Sequence, residues 1–222
     1  MRELKGSRAQ VFKCSKERLF FNMSGRKVVL GIFSIAIGIL VVLAIEIKKM
    51  SSAKDFPVYG EIPQFSLIDH RGEEINLEKL KGDVWVADFF FTSCAGICPR
   101  MTEQMTRVQE AFKDNPKVKL VSFTVDPETD SVWVLSMYAK GWGAIDGKWF
   151  FVTGEKKKIY DLARHGFKLP IGEGDGGPGD FIHSDRFVLV DAKGRIRGYY
   201  GGTDPEEVDK LIKDVKLILK EK

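Results

Sequence analysis

The chain has 222 residues, 44% apolar and 30% charged, which leaves room for one ordinary domain plus an appendage and excludes a disordered composition. The net charge of +4 is unevenly placed: residues 1–27 carry eight basic side chains against Glu3 and Glu17, a local +6, so the remainder is −2. The basic surplus belongs to the N-terminal tail, and no interleaved basic and aromatic stripe points to nucleic acid in the rest of the chain.

In chain order, residues 1–27 read as a basic cytoplasmic tail. Val28–Ile45 follows without a single charge, a length that just spans a hydrocarbon core. A single transmembrane anchor is expected over residues 28–47, N-terminus inside and the remainder outside, because the basic residues lie on its N-terminal side. A cleaved signal peptide fits less well: Lys48-Lys49-Met50 stands where a small-x-small cleavage site would be needed. Residues 48–60 are a tether, and residues 61–222 a single folded domain.

Phe65–Asp69 reads as a short strand with His70-Arg71-Gly72 as its turn, which makes His70 a solvated loop histidine. Leu77–Leu80 is a helical turn. Val84–Phe91 is nearly all apolar, the pattern of a strand covered on both faces. Directly after it comes Thr92-Ser93-Cys94-Ala95-Gly96-Ile97-Cys98-Pro99. Pro99 suits the start of a helix. Met101, Met105, Val108 and Phe112 continue that helix with one apolar stripe, which is core spacing rather than a ligand box. Cys98 at the helix entrance is expected to be more acidic than a free thiol, because the dipole's positive end favours thiolate. The dithiol is either a redox couple or part of a metal site. Cys14, far away in the tail, reads as an incidental reduced thiol.

Val118–Val125 is the next strand, ended by Asp126-Pro127. Asp130 or Ser131 caps a helix to about Lys140, and Asp126 and Asp130 are read as residues that cap and terminate structure. Phe150–Val152 is a strand. Thr153 is expected to cap a helix over Lys156–Arg164, with His165 as its C-terminal cation. Gly166–Ile182 holds six glycines and is the longest irregular stretch of the domain; a loop of that length is usually functional or disordered. It carries acids and no lysine at the phosphate-loop position, so phosphate cradling is not its role. His183-Ser184-Asp185 leads into the strand Arg186–Val190, the turn Asp191–Gly194 and the return strand Arg195–Tyr200. A last helix follows, capped by Thr203 or Asp204, with Val208, Leu211, Ile212, Val215 and Leu219 as its buried stripe.

Strands separated by helices imply parallel pairing, and the terminal hairpin implies an antiparallel edge. The expected class is α/β, a thioredoxin-like mixed sheet flanked by helices and preceded by a single transmembrane helix. That layout puts the dithiol at the C-terminal end of a central strand, beside the residues that precede the penultimate strand. Thioredoxins hold a cis-proline there; this chain has His183. Two thiolates and an imidazole make a soft three-donor set suited to Cu(I), and zinc with an open fourth position is also chemically possible.

With Phe91–Pro99, Ser122-Phe123-Thr124-Val125-Asp126-Pro127-Glu128-Thr129-Asp130, His183-Ser184 before a strand, and the Asp191–Gly194 turn leading to Tyr199-Tyr200-Gly201, the chain resembles the Sco/SenC family of copper proteins. The resemblance covers roughly Ile62–Leu219 and the anchor. It implies Cys94, Cys98 and His183 as ligands of a copper ion, Cu(I) or Cu(II), in a domain on the extracytoplasmic side of a bacterial inner membrane. It also implies copper delivery to the cytochrome c oxidase subunit that carries the binuclear copper centre, with an upstream copper donor or a thiol reductant as further partners. The other reading is a thiol–disulfide oxidoreductase that keeps the acceptor cysteines reduced, with Cys94 and Cys98 as its redox dithiol. His183 separates the two, since pure redox chemistry does not need it.

Overall fold

The computed structural model describes residues 30–31, 35–43, 56–169 and 184–221. The chain falls into two units, Met1–Asp55 and Phe56–Lys222. In the first, residues 30–31 and 35–43 are helical. Among the described residues no helix is long and apolar enough to cross a membrane; residues 28–29, 32–34 and 44–47 of the expected anchor, the tail with Cys14, and residues 170–183 with His183 lie outside them.

The second unit is built on one eight-stranded mixed sheet, in the order β1-β8-β7-β4-β5-β6-β2-β3. Its strands are β1 (Gly60–Glu61), β2 (Ser66–Asp69), β3 (Glu74–Asn76), β4 (Val84–Phe90), β5 (Val118–Thr124), β6 (Trp149–Thr153), β7 (Arg186–Val190) and β8 (Arg195–Gly201). Strands β4, β5 and β6 run parallel, while β7 and β2 flank them antiparallel. The helices are α1 (Leu77–Leu80), α2 (Cys98–Ala111), α3 (Val132–Gly141), α4 (Lys156–Asp161) and α5 (Pro205–Ile218). The α/β class, the parallel centre and the antiparallel terminal hairpin follow the sequence expectation; β1 and β3 are additions to it.

Central burial explains the composition of β4: every one of its residues is buried. One core covers one face of the sheet around Trp85, Phe89, Phe123 and Phe167. The other packs Met101, Met105 and Val108 of α2 with Leu135 of α3 and Val208, Leu211 and Val215 of α5 against the opposite face. The methionine stripe is therefore core, as its spacing implies. Each face of the sheet thus has its own apolar cover, and both cores lie wholly within residues 56–222.

Local chemistry sets the helix starts. Ser131 caps α3 by accepting from the Val134 N–H, and Asp204 caps α5 by accepting from the Glu206 N–H. Thr153 does not cap α4; the flanking residue is Glu155, without a side-chain cap bond. That helix runs on into a π turn, Leu162–Gly166, with His165 exposed in its last turn. At the far end of α2 the buried Lys148 ammonium donates to the carbonyls of Phe112, Asn115 and Val118 at 2.7, 2.7 and 3.2 Å. A cation there complements the negative end of the helix.

His70 overturns its loop reading. It is buried, its Nδ1 accepts the Phe151 N–H at 3.2 Å, and its ring meets the Phe151 ring edge-on. Burial holds its pKa below the usual histidine value, so the neutral acceptor form that this bond needs is favoured.

Candidate metal and redox site

The dithiol is positioned by a buried carboxylate. Asp130 is fully buried and accepts from the backbone N–H of Thr92 at 3.1 Å, from the Thr92 hydroxyl, and from the Thr124 hydroxyl. Thr92 leaves β4 and Thr124 ends β5, so one carboxylate ties together the two parallel strand ends beside the cysteines. Asp130 is thus a clasp for the site rather than the helix cap that the sequence allowed; Ser131 takes the cap. Beyond Thr92 the chain turns, with the Cys94 N–H donating to Phe91 O at 3.3 Å. Helix α2 then begins at Cys98 with Pro99 in its first two positions. The Thr102 hydroxyl donates to the Cys98 carbonyl at 2.9 Å and accepts from the Tyr138 hydroxyl on α3 at 2.9 Å, which joins the start of α2 to α3.

The two thiols are free and unequal. Cys94 is partly exposed, whereas Cys98 is buried, 4% exposed, within the α2 core. Burial pushes the Cys98 thiol up to about 12, with its bond to the Cys94 sulfur adding to the effect. Burial also works against the Cys94 thiolate, but the Cys98 thiol and the N–H groups of Cys98, Gly96 and Ile97 outweigh it and bring Cys94 below the free-thiol value. The sequence expectation of an acidic Cys98 is therefore corrected. The amides at the helix start do favour a thiolate, but they converge on the sulfur of Cys94, which stands in front of them. Cys98 belongs to the helix and turns its sulfur into the core.

A reagent such as iodoacetamide should accordingly modify Cys94 of the reduced, metal-free protein first, since thiolate fraction and access both favour it. Mass mapping after brief labelling at pH 7 checks this; equal labelling of Cys98 would sink the asymmetry.

Asp88 is the residue that sequence reasoning missed. It sits in β4, one strand position from the aromatic pair Phe89-Phe90, and is 1% exposed. It pairs across the sheet with Ser122, whose Oγ accepts the Trp149 indole N–H at 2.9 Å. Its Oδ1 has no hydrogen-bond partner among the described residues. Burial raises its pKa to about 7 despite the hydrogen bond to Ser122. The signal in the sequence was a lone acid inside an otherwise apolar strand.

Among the described residues no three His, Cys, Asp or Glu side chains form a group that could hold a metal ion. The structure brings together two of the three expected donors; the third, His183, precedes β7 and is outside the described residues. As a donor set, two neighbouring thiols, Cys94 at the rim and Cys98 just beneath it in the core, fit a soft ion and equally fit disulfide formation.

A mixed sheet whose central parallel strand leads into a helix-starting dithiol defines a thioredoxin-like dithiol protein. The SCO1/SenC family model matches residues 58–220, and the chain belongs to that family. It is 36% identical over 162 residues to the SCO1 protein homolog of Bacillus subtilis, covering 72% of this chain and 83% of that one. A solved member of the Sco family of cytochrome c oxidase assembly proteins, described for its disulfide switch, superposes with a TM-score of 0.64 at 36% identity. The match covers 76% of this chain and 98% of the solved one, so the fold stands without the N-terminal unit. Arabidopsis thaliana ScoI, solved with copper bound, superposes with a TM-score of 0.58 at 27% identity, over 72% of this chain and 99% of the other.

Proposed function

We propose that this protein is a membrane-anchored copper metallochaperone that binds copper through Cys94, Cys98 and His183. It delivers the ion to the binuclear copper centre of cytochrome c oxidase during assembly. The observation that carries the reading is the paired free thiols at the start of α2, one at the surface and one in the core. Its support from relatives is the copper held by the Arabidopsis protein and the oxidase-assembly role of the Sco protein with the disulfide switch.

The arrangement suits cargo that must be passed on. Thiolates are soft donors that select Cu(I). Cys98, buried, is the fixed ligand, and Cys94, at the rim, is the one an acceptor thiol reaches. A copper-bound thiolate is deprotonated whatever the free pKa, so loading releases the Cys98 proton. With three protein donors the ion stays open to a further ligand from an acceptor. Residues 28–47 anchor the domain, and the basic tail orients it to the extracytoplasmic side of a bacterial inner membrane.

One observation also favours the oxidoreductase reading. An accessible, acidic Cys94 beside a buried, basic Cys98 is the asymmetry of an attacking and a resolving thiol. In that chemistry the Cys94 thiolate attacks an acceptor disulfide. Cys98 then loses its proton and displaces the acceptor thiolate, leaving an internal disulfide.

Metal analysis of residues 56–222, purified reduced and without oxygen, separates the two. The expected result is about one copper per chain surviving desalting, and none after the dithiol is oxidised. A reduced domain with two titratable thiols that releases all its copper on desalting would leave the oxidoreductase reading in first place.

A further inference from the structure

The geometry points to a docking surface for the acceptor protein on the outer face of α3, centred on Trp133 and Met137 and joined to the dithiol through Ile97. This inference rests on the delivery function proposed above and adds to it where the acceptor sits.

Trp133 is 71% exposed and Met137 51% exposed, one helical turn apart on α3, while Leu135 and Ala139 bury the opposite face. A tryptophan so uncovered contributes almost nothing to the core. Among the described residues of the folded domain it is the most exposed large apolar side chain. From Ser131 to Ala144 the only charged side chain is Lys140, so little polar competition surrounds the apolar face.

The topology brings this face to the dithiol. Helices α2 and α3 are the crossovers from β4 to β5 and from β5 to β6, three parallel strands in spatial succession. Successive right-handed crossovers place both helices on one face of the sheet, running the same way. Both contribute to the same core. The Thr102–Tyr138 bond ties the helices side by side at 2.9 Å. Ile97 lies five residues before Thr102 and Trp133 five before Tyr138, so both stand at the same end of neighbouring helices. Packed helices are about 8–10 Å apart. Ile97 is 36% exposed and directly precedes Cys98.

The chemistry of transfer says what covers the face. A copper ion passes between proteins only when an acceptor donor atom binds it while a donor-side thiolate still does, so the acceptor must sit over Cys94. A standard interface takes about 800 Å² from each partner, a patch of about 16 Å radius, and a patch of that size around Cys94 takes in Ile97 and the first turn of α3. Tryptophan is over-represented among the residues that dominate such interfaces, and methionine adapts to irregular partners. The occupant is therefore a folded acceptor domain that presents soft thiolate, imidazole or thioether donors within an apolar rim.

The test compares residues 56–222 as wild type, Trp133→Ala, Trp133→Phe and Met137→Ala. The probe is the reduced, copper-free soluble domain of the oxidase subunit that carries the binuclear copper centre. Copper affinity and copper loss to glutathione should be the same in all four, because neither involves the face. The apparent affinity for the acceptor domain, measured by calorimetry and by the concentration dependence of transfer, should fall at least about tenfold in Trp133→Ala. Trp133→Phe should recover most of it. Equal acceptor binding by wild type and Trp133→Ala would overturn the docking surface while leaving delivery intact. Acceptor binding that depends on Trp133 without copper transfer would keep the surface and overturn delivery. No acceptor binding by the wild type would overturn both. Sedimentation with anionic lipid vesicles is the second arm: association lost in Trp133→Ala, with acceptor binding unchanged, would assign the face to the membrane and overturn the proposal.

Discussion

Replacing Asp88 by asparagine is expected to stabilise the reduced, metal-free domain at pH 8 and to cost it about 1–2 kcal/mol at pH 4, where the acid carries no penalty and only the unpartnered amide counts. The Asp88 carboxyl is raised by burial from 3.8 to about 7 in the folded chain. Below pH 3.8 it is protonated folded and unfolded, and it carries no penalty. As the pH rises from about 4 to about 7 the unfolded chain releases this proton while the folded chain retains it. Stability is therefore lost across that window and stays low above it. The difference sets a ceiling of about 4 kcal/mol at 1.36 kcal/mol per pH unit. The amide keeps a polar group at a buried site with one unpartnered position, which costs about 1–2 kcal/mol. The net gain at pH 8 is then about 2–3 kcal/mol, or about 5–10 °C in midpoint for a domain of this size. The neighbours do not blur the titration. Burial holds Cys98 and Tyr138, the two groups electrostatically linked to Asp88, up near 12, so both stay neutral throughout. Urea unfolding of both proteins at pH 4, 6 and 8 measures the gap. A gap that does not open between pH 4 and pH 8 would mean that Asp88 is already compensated by a partner.

A structural protein has no reason to keep such a residue, and its position suggests why this chain does. Asp88 lies in the strand that delivers the dithiol, and its charge is felt at Cys98. The cost falls on the strand whose end must hold two thiols in register, in keeping with the tendency of perturbed carboxyls to cluster at working sites.

The legible parts of the fold were those written in contiguous residues. The continuous apolar run of β4, the 4-3-4 spacing of α2 and the strand–dithiol–helix junction each carry their own signal. So did the stripe of α5. Strands of two and three residues, such as β1 and β3, are too short to show alternation, and their place at the edges of the sheet comes from pairing with β8 and β2. His70 was misread because a turn is ordinarily solvated; only the antiparallel register of β2 against β6 brings its ring to Phe151. The role of Asp130 spans 38 residues to Thr92, a pairing that no local pattern encodes. At the dithiol the sequence located the helix start correctly and so predicted an acidic thiol, but a linear reading cannot say which sulfur faces the amides. Burial decided that, and it selected Cys94.

Removing either sulfur should have a larger effect than removing the imidazole, and of a different kind. Cys94→Ser and Cys98→Ser each leave one thiolate, so Cu(I) binding should be lost and no internal disulfide can form. His183→Ala leaves both sulfurs. Copper affinity should fall by more than about 100-fold, since loss of an outer-shell partner alone typically costs 10–100-fold. Reduction of the Cys94–Cys98 disulfide by dithiothreitol should continue at a near wild-type rate, because thiol exchange depends on the two sulfurs and their access. Competition against a Cu(I) chelator and stopped-flow reduction of residues 56–222 give the two numbers. Oxidase assembly in cells carrying each full-length variant gives the third. The delivery reading requires all three variants to fail in assembly, with His183→Ala alone keeping its redox chemistry. A His183→Ala protein that holds copper as tightly as wild type and supports assembly would make His183 a bystander. The dithiol would then act on acceptor cysteines by exchange, with Cys94 as the attacking sulfur and Cys98 as the one that resolves.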